Sequence, residues 1–236
     1  MRRQFQLKET IATIIADEET YIDEAIESIR YHRKQLEQYI SRDPFFRITF
    51  EPYECAEGAP EVVQRMADAA KKAGVGPMAA VAGTIAELVV EAMIARGASH
   101  AIVENGGDIA ILNDREITMG VYAGESPLKN IGFAIEPRKK PFGICTSSGT
   151  VGPSISLGNA DAATVFATSA SLADACATAL GNEVKDEARV ERAFEIIKNI
   201  EGVEGALVII GETIAAWGKI PRIERVSISP DCITRG

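Results

Sequence analysis

The sequence predicts one α/β domain of the α+β type over residues 1–236, built from a mixed or antiparallel sheet and packed helices. Three observations lead to this prediction. Hydrophobic residues make up 46% of the chain and charged residues 25%, a balance that is typical of a folded chain with a sizeable core. Segments with strand-like alternation and segments with helical periodicity follow one another. The pair Asn105-Gly106 separates two β-rich segments, as in a hairpin.

The first half of the chain contains both kinds of segment. Residues 4–16 alternate and carry β-branched side chains, so they predict a strand or a bent hairpin. Residues 20–39 have apolar side chains at helical spacing. Residues 45–50 predict a strand, and residues 60–73 predict a helix. Residues 77–95 are Ala-rich and nearly uncharged in their first half, which predicts a helix that is packed on all sides.

The second half predicts mostly strands, with helices near its end. The strand-like segments are residues 100–104, 108–112, 117–122, 131–135, 143–146 and 163–167. A loop rich in Ser, Thr and Gly covers residues 147–161. Residues 169–180 predict a helix closed by Gly181, and residues 186–199 predict a further helix.

An internal similarity predicts that a helix–hairpin unit is duplicated. Residues 101–112 align without gaps on residues 206–217, and each segment follows a predicted helix. We expect the two units to be related by an approximate two-fold axis, although chance matching of small apolar residues is an alternative. The polar turn of the first segment has no counterpart in the second, so the hairpin itself does not require it. That turn is therefore a candidate site.

The charge and the N-terminus exclude several classes of function. The net charge of −9 disfavours binding to nucleic acid and to anionic membrane surfaces. The N-terminus has basic residues with no apolar segment behind them, and no segment is expected to be long enough to span a bilayer, so we expect a cytoplasmic protein. The four cysteines are scattered, and the two histidines lack zinc-ligand spacing.

The predicted helix over residues 169–180 carries one polar stripe among small apolar side chains. Ser171, Asp174 and Thr178 share a face of this helix. A carboxylate among buried neighbours needs a partner, because an isolated buried charge is very costly. Asp174 and Thr178 are suited to bind Mg²⁺ through oxygen. The alternatives are a solvent-facing stripe, or an Asp174 that caps a neighbouring helix.

Two further segments are candidates for binding an anionic cofactor or substrate. The first is the turn, with Glu104, Asn105, Gly106, Gly107 and Asp108. The second is the loop after residue 145, with Thr146, Ser147, Ser148 and Gly149. Paired glycines and small hydroxyl side chains leave backbone N–H groups open to phosphate. The alternatives are an ordinary type I′ hairpin turn for the first segment and a surface loop for the second.

A second polar stripe, on the predicted helix over residues 77–95, contains Thr84, Glu87 and Glu91. Two acids one turn apart are usually a solvated face of a helix. Glu87 lies where the helix still looks buried, so a functional role stays open. No arrangement supports Ser-His-Asp or Cys-His catalysis, and the catalytic residues are left unassigned.

Four segments in order resemble the ApbE family, the FAD:protein FMN transferases once named for thiamine biosynthesis. In sequence letters they are AGTIAEL, VENGGDI, TSSG and LADACATAL, and the resemblance covers roughly residues 76–217. The resemblance implies an ApbE-like fold, a Mg²⁺ ion bound by Asp174 and Thr178, and a flavin or nucleotide ligand near the other matched positions. Those positions are Gly106, Gly107 and Asp108, with Thr146, Ser147 or Ser148, and Gly149.

The chain departs from this family's pattern at several positions. The family's lysine, tyrosine and aspartate on the first helix fall on Ala82, Thr84 and Glu87, and residues 152–161 lack its histidine. The chain therefore resembles a divergent, cytosolic branch. The resemblance implies a Mg²⁺-dependent enzyme acting on FAD or a related nucleotide pyrophosphate, by FMN transfer or hydrolysis. The alternatives are a non-catalytic flavin- or nucleotide-binding protein and an enzyme for another small anionic substrate; a homo-oligomer is also open.

These expectations converge on one site. We expect a cleft shared by residues 104–108, residues 146–152 and the polar stripe of the helix over residues 169–181. The three segments are far apart in sequence, so their meeting in space is a demanding prediction.

Overall fold

A computed structural model of the chain describes residues 1–121, 123–124, 126–128, 130–149 and 157–226. In these residues eight strands form a large sheet and three form a small one. Every strand pair in this part of the chain is antiparallel, so the α+β class with antiparallel sheet and packed helices is confirmed.

The strands and helices follow one another in mixed order along the chain. The strands are β1 (Arg2–Leu7), β2 (Thr10–Ala16), β3 (Ala101–Asn105), β4 (Asp108–Leu112), β5 (Ile117–Val121), β6 (Ile131–Ile135), β7 (Phe142–Ser147), β8 (Ala162–Ala167), β9 (Val203–Ile210), β10 (Thr213–Gly218) and β11 (Arg222–Arg225). The helices are α1 (Glu19–Arg42), α2 (Phe45–Ile48), α3 (Glu61–Ala73), α4 (Val81–Ala95), α5 (Ala170–Glu183) and α6 (Val190–Ala193), with 3₁₀ turns at Pro77–Ala80, Glu187–Arg189 and Phe194–Ile196.

The large sheet is the middle layer of the molecule. Its strand order is β1-β2-β3-β4-β7-β8-β9-β10, and the small sheet has the order β11-β6-β5. Successive side chains on a strand point to opposite faces, so each central strand serves two layers. Cys145 and Val165 belong to the core that the helices cover, whereas Ile144 and Phe166 pack with the small sheet. The rings of Phe166 and Phe133 meet edge to face at 4.9 Å.

Helices α4 and α5 lie against the helix-facing side of the large sheet and touch each other closely. A Cβ at Gly83 would lie 2.3 Å from the Ala170 carbonyl oxygen and 2.7 Å from the Cβ of Asp174. Only a residue without a side chain fits at this crossing. The two helices therefore approach to backbone contact, which explains a glycine in the interior of a helix.

The segment Pro77–Ala95 corrects one expectation from the sequence. By length and composition alone its 19 residues suffice to cross a membrane, contrary to the expectation that no segment would. In the structure half of this segment is buried, and α4 packs against α1, α5, β3 and β4. Its apolar composition is therefore accounted for by the core.

The predicted strand over residues 45–50 is wrong, because the structure forms helix α2 there. Pro44 precedes it with φ near −63°, a value that suits the start of a helix. Phe46 is fully buried, and its ring packs edge to face on Tyr39 and Tyr53. One inward aromatic side chain thus anchors a short turn, and its apolar neighbours remain exposed.

Two helix predictions, one of an end and one of a whole helix, are also wrong. Helix α5 does not close at Gly181 but runs on to Glu183. This glycine lies against β7, where a Cβ would meet the Ser147 hydroxyl oxygen at 3.2 Å, so it serves close approach and not capping. The single helix predicted over residues 186–199 is divided into short turns. The Asp186 carboxylate accepts the Arg189 N–H at 2.9 Å and caps the first of these turns.

Both segments of the suspected duplication form hairpins, β3–β4 and β9–β10. In the sheet they keep the same left-to-right order, and the antiparallel alternation gives β3 and β9 the same direction. A step along the sheet relates the hairpins, so the predicted two-fold axis is wrong. Hairpins are common, and the duplication itself remains a hypothesis.

The crossing of α4 and α5 predicts that Gly83→Ala destabilises the fold. Alanine is the better helix former by about 1 kcal/mol, so propensity alone predicts a gain in stability. The forced separation of the helices should instead cost roughly 1–3 kcal/mol in denaturant unfolding. Ala92→Gly, further along α4, calibrates the propensity effect. A Gly83→Ala protein as stable as the wild type would contradict the close crossing.

Candidate functional site

The candidate site begins at the tight turn between β3 and β4. Gly106 and Gly107 have φ values of 68° and 101°, in the left-handed region that a type I′ turn requires at both positions. The Asn105 side-chain amide donates a hydrogen bond to the Ala82 carbonyl oxygen at 3.2 Å, which ties the turn to α4. The hairpin and this tie account for three of the turn residues without a ligand.

Asp108 opens β4 and lies opposite Cys145 of β7. Its carboxylate accepts a hydrogen bond from the Thr146 N–H. The Cys145 thiol beside it donates to the Ala170 carbonyl oxygen at 3.4 Å. Burial raises the pKa of Asp108 well above its usual value, and the nearby charge of Asp174 raises it further. Part of the Asp108 surface still meets solvent, which fits a side chain enclosed by protein on most sides and open on one.

Asp174 is held at the N-terminus of α4. Its Oδ2 accepts the Gly83 N–H at 2.8 Å, and its carboxylate also accepts the Ala82 N–H. Both N–H groups belong to the first turn of α4. N–H groups in the first turn of a helix have no acceptor within that helix. Asp174 therefore caps a neighbouring helix, as one of the alternatives from the sequence predicted. Burial nonetheless raises the pKa of Asp174 to about 7, against the opposing effect of these two hydrogen bonds.

Asp108 and Asp174 together form a buried pair of like charges. The charge of Asp174 raises the pKa of Asp108, and burial raises the pKa of both carboxyl groups. Two carboxylates in such surroundings cannot both stay ionised without compensation. A proton or a bound cation supplies it. The predicted convergence of the turn and the 169–181 helix is thus present in the structure.

Thr178 lies one helical turn beyond Asp174 on α5 and is half-buried. Its hydroxyl makes no hydrogen bond to any residue that the structure describes. The same part of the chain contains no group of three or more His, Cys, Asp or Glu side chains placed to hold a metal ion. A cation at the carboxylate pair would therefore complete its shell with this hydroxyl, backbone oxygen, water or ligand oxygen.

Two of the sequence-predicted residues point away from the carboxylate pair. The Thr146 hydroxyl lies 2.9 Å from the Thr164 hydroxyl, on the side of the sheet that faces β5 and β6. Glu104 pairs with Ile109, which also packs on that side. Only the backbone N–H of Thr146 reaches Asp108, so the side chains of Glu104 and Thr146 are not part of a common cleft with Asp174.

The loop after β7, for which a phosphate-binding role is predicted, is described only in part. Ser147 faces α5, close to Gly181, and Ser148 is half-buried with a partner of its own. The Gly149 N–H donates to the Ala160 carbonyl oxygen at 2.8 Å and is not open to phosphate. Residues 150–152 lie outside the described part of the chain, so ligand binding by this loop stays a prediction.

Glu87 has contacts that the sequence did not reveal. Its Oε2 accepts hydrogen bonds from the N–H and the hydroxyl of Ser171, at 2.8 and 2.9 Å. Its Oε1 pairs with Arg65 at 2.8 Å. The stripe marked Glu87 as unusual, but only the fold brings Ser171 to it. Two grooves flank this contact, both lined by Glu87 and by Ser169, and neither is lined by Asp108 or Asp174.

Comparison with known proteins shows similarity along nearly the whole chain. A family profile described as "AbpE bacteria" matches residues 2–198. Proteins named UPF0280 from Methanosarcina acetivorans and Methanosarcina barkeri are each 56% identical over 236 residues, covering 100% of this chain and 93% of the relative.

Solved structures with related folds are also found. The Pseudomonas stutzeri flavinyl transferase ApbE in its apo form has a TM-score of 0.62 at 13% identity, covering 92% of this chain and 93% of that chain. A mutant of the Vibrio cholerae flavin transferase ApbE has a TM-score of 0.58 at 17% identity, with coverage of 92% and 96%. At such identities the likeness shows the fold alone.

The buried carboxylate pair predicts a difference in pH dependence between the wild type and Asp108→Asn. Folding raises the pKa of Asp108, so its protonated form stabilises the fold below pH about 4, and this contribution is lost as pH rises. The variant has no such loss. In EDTA-containing buffer its free energy of unfolding should rise relative to that of the wild type as the pH rises above about 4, by up to roughly 1 kcal/mol per pH unit. A difference that does not change with pH would contradict the buried pair.

Proposed function

The chain belongs to the family described as AbpE bacteria, and from this premise we propose that it is a Mg²⁺-dependent enzyme acting on the pyrophosphate of FAD or a related nucleotide. The match confirms the resemblance to the ApbE family, which was predicted from four sequence segments. The reaction in this proposal is hydrolysis or FMN transfer.

The observation that carries this proposal is the pair Asp108 and Asp174. The two buried carboxylates repel each other, and backbone N–H groups, which are neutral, donate their hydrogen bonds. A divalent cation would neutralise the pair, and Mg²⁺ prefers oxygen ligands of this kind. Mg²⁺ commonly takes one or two protein carboxylates and completes its shell with water and substrate phosphate. The residues at this place therefore fit the ion.

The side chains of this site are held before any ligand arrives. Asp174 is fixed by the Gly83 and Ala82 N–H groups, and the hydrogen bond to Gly83 uses its Oδ2. Asp174, Asp108 and the Thr178 hydroxyl would hold the metal. When bound, Mg²⁺ would neutralise charge that develops on the pyrophosphate. The protein contributes a preorganised set of oxygen atoms, which reduces the cost of reorganisation during the reaction.

Names of related structures support a flavin as the ligand, since two of them are flavin or flavinyl transferases. The replaced family residues favour a second candidate, a flavin- or nucleotide-binding protein without catalysis. The family's lysine position is Ala82 here, which offers only a methyl group and whose N–H is already engaged by Asp174. An enzyme for another small anionic substrate is the third candidate. We place all three in the cytoplasm, without nucleic-acid or membrane partners.

The products formed from FAD separate these candidates. Purified protein is incubated with FAD and MgCl₂, and the mixture is resolved by chromatography. The proposal predicts FMN and AMP in equal amounts for hydrolysis. For transfer, it predicts AMP and acceptor-bound FMN only when an acceptor protein is added. Bound but intact FAD would instead favour the binding protein. If FAD is neither bound nor cleaved, a flavin function is excluded.

The metal assignment predicts the behaviour of Asp174→Asn. Asparagine keeps an oxygen that can accept the Gly83 N–H, so the fold should be retained, but the charge that attracts the cation is lost. Ligand binding stabilises a fold by mass action, so MgCl₂ with FAD should raise the unfolding temperature of the wild type and raise that of the variant much less. Glu183→Gln, which removes an exposed charge from the same helix, should behave like the wild type. Equal shifts in all three proteins would disprove the assignment.

A further inference from the structure

Helices α4 and α5 each supply a carboxylate that accepts a backbone N–H at the N-terminus of the other helix. Asp174 of α5 accepts the Gly83 N–H of α4 at 2.8 Å, and Glu87 of α4 accepts the Ser171 N–H of α5 at 2.8 Å. Gly83 and Glu87 are one turn apart on α4, and Ser171 and Asp174 are one turn apart on α5. The two contacts are therefore neighbours at a single crossing. In each of them, a carboxylate from one helix binds the first turn of the other helix.

Glu87 itself is held firmly. Its side chain is only 13% exposed, and Arg65 of α3 binds its Oε1 at 2.8 Å. The same guanidinium binds Glu91 at 2.7 Å and Glu61 at 2.6 Å, so a network anchored on α3 sets the position of the Glu87 carboxylate. Its Oε2 receives two hydrogen bonds from Ser171, one from the backbone and one from the hydroxyl. Both oxygens of this buried group are thus engaged.

We infer that Glu87 is a positioning residue for the proposed metal ligand Asp174, and this inference rests on the proposed function of that site. Glu87 fixes the first turn of α5, and Asp174 lies in the next turn. The rotation and depth of α5 decide whether the Asp174 carboxylate reaches both the N-terminus of α4 and the neighbourhood of Asp108. Glu87 does not touch the metal or the nucleotide in this account, and it acts only through α5.

Glu91→Gln is a matched control for Glu87→Gln. Both substitutions remove one carboxylate from Arg65, both lie on α4, and they are four residues apart. Only Glu87 contacts Ser171. Glu91 makes two hydrogen bonds to Arg65 and Glu87 makes one, so loss of ion pairing alone should affect Glu91→Gln at least as much as Glu87→Gln. Loss of positioning should affect only Glu87→Gln. Ser171→Ala supplies a milder variant that keeps every charge and removes one of the two hydrogen bonds.

The first measurement needs no metal. The amide proton of Gly83 reports its hydrogen bond to Asp174, so its NMR resonance should move upfield in Glu87→Gln and, to a smaller extent, in Ser171→Ala. It should stay in place in Glu91→Gln. Asp174→Ala, which removes the acceptor, shows how far the resonance moves when this hydrogen bond is lost. A Gly83 resonance that is the same in Glu87→Gln and Glu91→Gln would overturn the inference. If Glu87→Gln does not fold, Ser171→Ala decides.

The second measurement is titration of the full chain with MgCl₂ by calorimetry. Substitutions of groups that support metal ligands typically weaken metal binding 10–100-fold, so we expect about a tenfold weaker Kd in Glu87→Gln and an unchanged Kd in Glu91→Gln. Equal Kd values in these two variants would overturn the inference. A wild type that does not bind Mg²⁺ would disprove the proposed function instead, while the Gly83 resonance would still decide whether Glu87 positions α5.

Discussion

The close crossing of α4 and α5 is the contact on which the rest of the site depends. Gly83 removes the side chain that would separate the helices, and a carboxylate from each helix meets N–H groups in the first turn of the other. The unsatisfied N–H groups of a helix start carry a partial positive charge, so a buried carboxylate is stabilised there. This crossing supplies the buried Asp174 with two backbone N–H partners.

The crossing also explains why the negative charges of Asp108 and Asp174 lie close together. The capping bonds do not fully offset the burial of Asp174, because its pKa is still raised to about 7. The register between β4 and β7 places Asp108 beside Cys145, on the helix-facing side of the sheet, where the charge of Asp174 acts on it. The helix contact and the strand register together create one negatively charged place, and that place suits a cation that binds phosphate.

The sequence predicted what local chemistry decides, and it missed what depends on distant approach. Asn105-Gly106 marked the hairpin, because a type I′ turn needs left-handed backbone that glycine adopts freely. The partner of Asp174 is 91 residues away, and no local pattern shows which N–H groups it meets. The alternation of β3 and β7 put Glu104 and Thr146 on the other face, which a list of polar residues in one motif cannot show. Burial of one aromatic ring, Phe46, turned a strand-like segment into a helix.

The central claim is that Asp108 and Asp174 share a divalent cation. Crystals soaked with Mn²⁺, which substitutes for Mg²⁺ at oxygen sites, test it directly through the anomalous signal of the metal. The account predicts one strong anomalous peak within bonding distance of both carboxylates, with the Thr178 hydroxyl on the same side and the Asp174–Gly83 hydrogen bond retained. A protein that shows no peak there, with the two carboxyl groups joined by a shared proton at neutral pH, would contradict it.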